Sequence, residues 1–124
     1  VKGRAQLEAA YDDALGVTAA FNLNALNHIN VLLGTDFHLP QWRHVALFNT
    51  ALSRIEMHLE ALEELTVQWP GDSRRFAKGE RIHTENSYKY DLLRFRALLV
   101  EAGFRDIHTW TDAQRWFAVC HASV

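Results

Sequence analysis

The chain has 124 residues, enough for one domain or part of a larger one, and 48% of them are hydrophobic, enough to close a sizeable core. Its formal charge of −2 comes from 13 basic and 15 acidic residues with neither sign segregated, which argues against a nucleic-acid footprint or a basic membrane-binding face. The single cysteine, Cys120, excludes an internal disulfide and fits a reducing, cytoplasmic setting, and no apolar run is long enough to span a bilayer. Seven histidines are scattered without HxxxH, HxH or HExxH spacing, so no metal site is signalled. The sequence opens at Val1, not Met, and almost at once in the periodicity of an amphipathic helix, which reads as a piece of a longer protein.

In chain order, the spacing of Leu7, Ala10, Tyr11 and Ala14 predicts a helix over Arg4 to Leu15. Asp12 and Asp13 near its end oppose the helix dipole. Thr18 is then a plausible N-cap for a helix to about Leu33, closed by Gly34. Four asparagines in that helix are poor for intrinsic propensity and suggest that tertiary contacts fix it, or that some amides bond a neighbouring loop. Pro40 suits the first turn of a short helix through about Ala46, and Phe48 to Ser53 reads as a loop. From Arg54 the pattern alternates: Ile55, Met57, Leu59 and Ala61 face one side, and Arg54, Glu56, His58 and Glu60 the other. This predicts a strand to about Ala61, with another over Leu65 to Trp69, a turn at Pro70-Gly71-Asp72, and a short strand at Arg75 to Ala77. Asp91 is a credible N-cap for a helix over Leu92 to Ala102, with Leu92, Phe95, Leu98, Leu99 and Ala102 as its buried face and Gly103 as its end. Phe104 to Trp110 reads as a strand, Thr111 to Gln114 as a turn, and Arg115 to Ser123 as a final strand.

Lys78 to Tyr90 is chemically the densest stretch, an extended run that holds an acid, a hydroxyl, an amide and a histidine. Strict alternation would point His83, Glu85 and Ser87 one way and Thr84, Asn86 and Tyr88 the other. A carboxylate and a hydroxyl converging from one face can hold a small polar ring; an ordinary solvent-facing edge strand has the same pattern.

The helix, Ala102-Gly103-Phe104, strand, turn and final apolar strand resemble the carboxyl-terminal end of class I S-adenosylmethionine-dependent methyltransferases. More specific are Ala10 to Ala14, Gly16 to Asn24, Ser53 to Leu59, and Phe76 to Glu80 continuing through Ile82 to Tyr90. In this order and spacing they resemble the histidine-specific, S-adenosylmethionine-dependent methyltransferase family, whose best-known activity is the histidine Nα-methylation of ergothioneine biosynthesis. The resemblance implies an α+β chain: amino-terminal helices, then a mainly antiparallel sheet, with the last helix and strands being the end of a Rossmann-like fold. Residues 1–90 would be a portion of the substrate-binding domain and 91–124 the return to the methyltransferase domain. S-adenosylmethionine would be bound mainly by a domain upstream of Val1. By the same resemblance, Glu85 and Ser87 match the acid and hydroxyl that bond the substrate imidazole, Met57 a residue packed near that ring, and Tyr11 a tyrosine at the amino-acid end. His58, His83 and Lys89 are read as scaffold, and no residue is assigned as a general base. The implied partner is a small molecule, histidine or a related amino acid, with neither nucleic acid nor membrane. The chain alone is expected to be inactive, and exposed apolar surface invites self-association. The competing reading is a non-catalytic binding or interaction module that kept the pocket and lost the donor site.

Overall fold

The structure is a computed structural model that describes residues 3–124. Three α-helices, α1 (Arg4–Tyr11), α2 (Val17–Leu33) and α3 (Leu92–Glu101), combine with seven strands: β1 (Trp42–Asn49), β2 (Arg54–Ala61), β3 (Leu65–Trp69), β4 (Asp72–Phe76), β5 (Arg81–Tyr88), β6 (Arg105–Thr111) and β7 (Ala118–Ser123). The strands form a three-stranded sheet in the order β1-β2-β5 and two hairpins, β3-β4 and β6-β7. Every described pairing is antiparallel, so the α+β class stands. No helix among the described residues is long and apolar enough to cross a membrane.

The alternation of β2 builds the core. Ile55 and Leu59 are fully buried, and Met57 and Ala61 nearly so. Burying one such aliphatic side chain contributes roughly 1.5–3 kcal/mol. Leu59 and Ala61 join Leu26 of α2, Trp42 of β1, and Leu65, Val67 and Phe76 of the β3-β4 hairpin in the larger cluster. Ile55 and Met57 form a second cluster with Leu7 of α1, against which Tyr11 and Phe48 pack. Both helices therefore lie on one face of the three-stranded sheet. Glu8 docks α1 further, because its carboxylate accepts the free backbone N–H of Phe48 on edge strand β1 at 3.0 Å.

Several expectations change. The first helix stops at Tyr11, not Leu15, since Asp12 leaves helical geometry (φ −135°). The Asp13 carboxylate then accepts the backbone N–H groups of Val17 (3.1 Å) and Thr18 (2.8 Å), so it caps α2, and Thr18 does not. These bonds, led by the one from Thr18, hold the Asp13 carboxyl down at about 2. The acidic pair that looks misplaced at the end of one helix serves the start of the next. The amides of α2 do bond a loop: Asn30 accepts from the Phe37 N–H and donates to the Phe37 carbonyl, both at 2.8 Å.

The largest correction concerns residues 40–53. No α-helix follows Pro40; a 3₁₀ turn at Leu39–Gln41 leads into β1, which pairs with β2 along its whole length from Trp42↔Ala61 to Asn49↔Arg54. Trp42 and Val45 suggest a helical step. However, Trp42, His44, Ala46 and Phe48 also alternate, and pairing with the unambiguous strand β2 decides in favour of extension. Only residues 50–53 remain as a turn, with Ser53 at φ 50°. Smaller shifts follow turn chemistry. The hairpin turn at Gly71 (φ 96°) lets β4 begin at Asp72, and the backbone N–H of Phe117 bonds the Asp112 carboxylate at 2.7 Å, which delays β7 to Ala118. Asp91 caps α3 as expected, its carboxylate accepting from the Arg94 N–H at 2.8 Å. The expected buried face of α3 is not buried, and Leu98 is 45% exposed.

Candidate functional site

Directly opposed residues of an antiparallel pair share a face. Met57 opposes Glu85 and Ile55 opposes Ser87, so Glu85 and Ser87 stand on the helix-covered face, with buried Met57 beneath Glu85. Tyr11, the last residue of α1, closes the group: its phenol oxygen lies 2.7 Å from Ser87 Oγ. The four candidate positions, separated by up to 76 residues in sequence, therefore meet on one face. The resemblance assigns Tyr11 and Ser87 to opposite ends of the substrate, yet their oxygens share a hydrogen bond.

His83 does not join them. The β2-β5 register breaks between Met57 and His58, because Met57 opposes Glu85 whereas His58 opposes His83. Thr84 is the extra residue of this β-bulge, and its hydroxyl donates to the Met57 carbonyl at 2.9 Å. One inserted residue reverses the facing of everything before it. Strict alternation had placed His83 beside Glu85; the bulge sends it to the opposite face, where its ring stacks on His58 at 4.5 Å.

That opposite face is a charged network. Glu56 is bonded by Arg54 (2.7 Å) and by Asn49 (3.0 Å) and lies 3.3 Å from His58 Nε2. The Arg54 bond, with those from Asn49 and His58, holds the Glu56 carboxyl down at about 2 against the upward push of desolvation. Burial pushes the His58 imidazole below its ordinary value, against the hydrogen bond it donates to Glu56. Glu60 accepts from Arg43 and Arg81, and those two bonds lower its carboxyl as well. Glu56, His58 and His83 bring three potential metal-ligand atoms within 4.8 Å of one another. This set spans two strands, so spacing within one stretch does not reveal it. A dication there would meet the Arg54 guanidinium already seated on Glu56. The geometry therefore fits an ion-paired scaffold better than a metal centre.

On the helix-covered face, a cavity of about 450 Å³ opens beside Glu85 and Thr84, walled by Phe21, Asn22, Ala25 and His28 of α2. A second, of about 560 Å³, adjoins Tyr11 and Lys89. Either is of small-molecule size.

Three supporting residues escape sequence reasoning. Asn22 is 3% exposed and donates through Nδ2 to His44 Nδ1 (2.9 Å) and to the His58 carbonyl (3.2 Å). Since His44 Nδ1 accepts, the ring proton sits on Nε2, which donates to the Tyr11 carbonyl at 2.7 Å. The C-terminal carbonyl of α1 is thereby satisfied and Tyr11 is placed. His44 was hidden by the expected helix over residues 40–46. Lys89, read as scaffold, donates to Tyr11 Oη at 2.6 Å and Ser87 Oγ at 2.8 Å. Its backbone is clamped by Ser53, which accepts the Lys89 N–H at 2.7 Å and donates its hydroxyl to the Lys89 carbonyl at 2.7 Å. The period-two series Glu85, Ser87, Lys89 is the signal that could have found it.

The described strands pair only antiparallel, so the described residues contain no parallel βαβ unit with a glycine-rich turn, the usual cradle for a dinucleotide-like methyl donor.

Comparison with known proteins gives the chain a family. The family described as histidine-specific, SAM-dependent methyltransferases matches residues 1–124, and the chain belongs to it. Among individual relatives, the histidine N-alpha-methyltransferase of Mycolicibacterium smegmatis is 45% identical over 114 residues, covering 90% of this chain and 36% of the relative. That of Mycobacterium tuberculosis is 42% identical over 121 residues, with the same coverage of 90% and 36%. More distant is the N-methyltransferase benX of Aspergillus terreus, 28% identical over 117 residues, which are 93% of this chain and 32% of the relative. The chain thus spans about a third of the length of the relatives it matches.

Proposed function

We propose that this chain is the carboxyl-terminal part of a SAM-dependent methyltransferase that methylates the α-amine of histidine or a related amino acid, and that it supplies the substrate pocket. The observation that carries the reading is the convergence of Tyr11, Met57, Glu85 and Ser87 on one sheet face, where Glu85 lines a cavity of about 450 Å³ and Tyr11 another of about 560 Å³. Glu85 accepts from one imidazole nitrogen, Ser87 bonds the other, Met57 packs under the ring with its soft thioether, and Tyr11 contacts the amino-acid end. Residues 1–90 form the portion of the substrate-binding domain. Residues 91–124 are the last helix and strands of a Rossmann-like methyltransferase domain, whose remainder covers the apolar side chains exposed on α3, β6 and β7. The donor binds outside this chain, so the chain alone is inactive, and uncovered apolar surface makes it self-associate. The role of these residues is to hold and align the amine, which is how binding energy lowers the barrier of a group transfer.

The test is Glu85→Ala in the full-length enzyme. A hydrogen bond to a charged group contributes roughly 1.5–3 kcal/mol, which corresponds to a rise in histidine KM of roughly 10- to 150-fold. The donor KM should stay within about twofold. Unchanged histidine kinetics would sink the assignment.

A further inference from the structure

Tyr11 Oη and Ser87 Oγ lie 2.7 Å apart, and Lys89 Nζ donates to both, at 2.6 and 2.8 Å. A hydroxyl has one proton to give and can accept, whereas an ammonium has three protons and no lone pair. Lys89 therefore donates in both of its bonds, and each hydroxyl oxygen spends one lone pair on it. Of the two hydroxyl protons, one lies in the Tyr11–Ser87 bond and the other must point out of the group. The phenol is the more acidic hydroxyl and the better donor, so it gives its proton to Ser87. Ser87 Oγ then accepts twice, has no lone pair left, and offers only its own proton to the face it shares with Glu85.

We propose that Lys89 is a positioning residue that makes Ser87 a hydrogen-bond donor only, so that the Glu85–Ser87 pair takes an imidazole in its neutral form. One ring nitrogen donates to Glu85, and the other accepts from Ser87. This rests on the reading of Glu85 and Ser87 as imidazole anchors. An imidazolium has two N–H groups and no acceptor nitrogen, so it would leave Ser87 proton against proton and set a second cation near Lys89.

The surroundings are consistent. Lys89 Nζ also lies 4.5 Å from the centre of the Tyr11 ring, and Ser53 clamps the Lys89 backbone from both sides. Burial pushes the Tyr11 phenol up, but the hydrogen bond that Lys89 donates to it, with the Lys89 charge, helps to leave the phenol below its ordinary value; Glu85 opposes them. Among the described residues, the titratable groups around the trio are Glu85 from β5, Glu8 from α1, which is committed to Arg4 and the Phe48 N–H, His44 from β1, which is committed to Asn22 and the Tyr11 carbonyl, and Tyr88 and Tyr90, which line the cavity beside Tyr11 and Lys89. Strand β2 contributes only Ile55 and Met57 there. Glu85 alone would favour an imidazolium, so the protonation state accepted by the site is set by the contest between Glu85 and Lys89.

Calorimetry of histidine binding to the full-length protein, with S-adenosylhomocysteine present, tests this between pH 5.5 and 8. Wild type should lose affinity about tenfold per pH unit below the imidazole pKa of about 6.5. Lys89→Met should bind about tenfold more weakly at pH 7.5 and show no such acid loss, because Glu85 then acts unopposed. Lys89→Arg, which still donates to both oxygens, should keep the loss. Ser87→Ala removes the donor itself and should also abolish the acid loss, so the outcome does not depend on the folding of one variant. Retention of the wild-type slope by Lys89→Met or by Ser87→Ala, or a wild type without the slope, overturns the role of Lys89. Glu85→Ala, which removes the acceptor, separates the two ideas: if it leaves histidine affinity at pH 7.5 unchanged, the imidazole reading itself fails. If Glu85→Ala weakens binding and Lys89→Met keeps the slope, only the role of Lys89 fails.

Discussion

Replacement of Asn22 by alanine tests how the site is held. The carboxamide donates to two groups, His44 Nδ1 and the His58 carbonyl, and its own residue is 3% exposed. Its removal leaves both acceptors unpaired where water has little access. Each such group costs about 1–3 kcal/mol. Against this, alanine is the better helix former by up to about 0.7 kcal/mol. The net loss is about 1.5–5 kcal/mol, a large share of the stability of an ordinary domain. With a urea m-value of about 2 kcal/mol/M, the midpoint should fall by about 0.75–2.5 M while m stays constant. The same change releases the His44 tautomer that donates to the Tyr11 carbonyl, so histidine KM in the full-length enzyme should rise along with the loss of stability. Because Asn22 and His44 act in one chain of bonds, Asn22→Ala/His44→Ala should cost less than the sum of the single changes by about 0.5–3 kcal/mol. A stability change below about 0.5 kcal/mol for Asn22→Ala, or strict additivity with His44→Ala, would refute the relay from α2 through β1 to Tyr11.

Two further outcomes follow from burial and charge. Met57→Ala should lose about 2–5 kcal/mol by denaturant titration and Met57→Leu less than about 1.5, since Met57 is 3% exposed between Ile55 and Leu7; equal effects would show that the site is loosely packed. Glu56 has a folded-state pKa of about 2 against an ordinary 4.5, so its contribution to stability is complete above about 4.5 and is lost as pH falls toward 2. The deficit of Glu56→Gln, measured as the difference in urea midpoint from wild type, should be constant from pH 7 to 5 and close below 4.5; a deficit that persists unchanged at pH 3 contradicts the ion pair as its source.

What the sequence discloses follows the strength of local periodicity. Strand β2 is legible because its alternation separates Ile55, Met57, Leu59 and Ala61 from charged neighbours without ambiguity, and the structure buries that set. Strand β1 is not, because its two faces are both half-buried and its apolar residues, Trp42, Val45 and Leu47, fit no clean period of two. Its extension is decided by pairing with β2, a contact between segments that a local window does not contain. The end of α1 fails for a related reason: Asp13 looks like a poor helix residue until its role as the cap of α2 is seen. At the site, the positions of Tyr11, Met57, Glu85 and Ser87 come from matched motifs, whereas the flip of His83 depends on a bulge whose only trace in sequence is one extra residue, Thr84.

The bulge also explains how an edge strand can carry a precise site. Strand β5 has β2 on one side only among the described residues, and an edge strand is free to slip in register unless something pins it. Here it is pinned on both faces and at both ends. At its start, the Ala61 N–H bonds the Glu80 carbonyl at 2.9 Å and the Gly79 N–H bonds the Ala61 carbonyl at 2.8 Å. At its finish, Ser53 grips Lys89. On the reverse face, Arg81 is tied to Glu60 and His83 is stacked on His58. A slip of one residue would break each of these contacts and turn Glu85 away from Met57. The charged face is therefore not idle surface: its ion pairs hold the register that sets Glu85 opposite Met57 and Ser87 opposite Ile55, and Arg81, on the other face of the sheet, should affect the proposed recognition of histidine through that register alone.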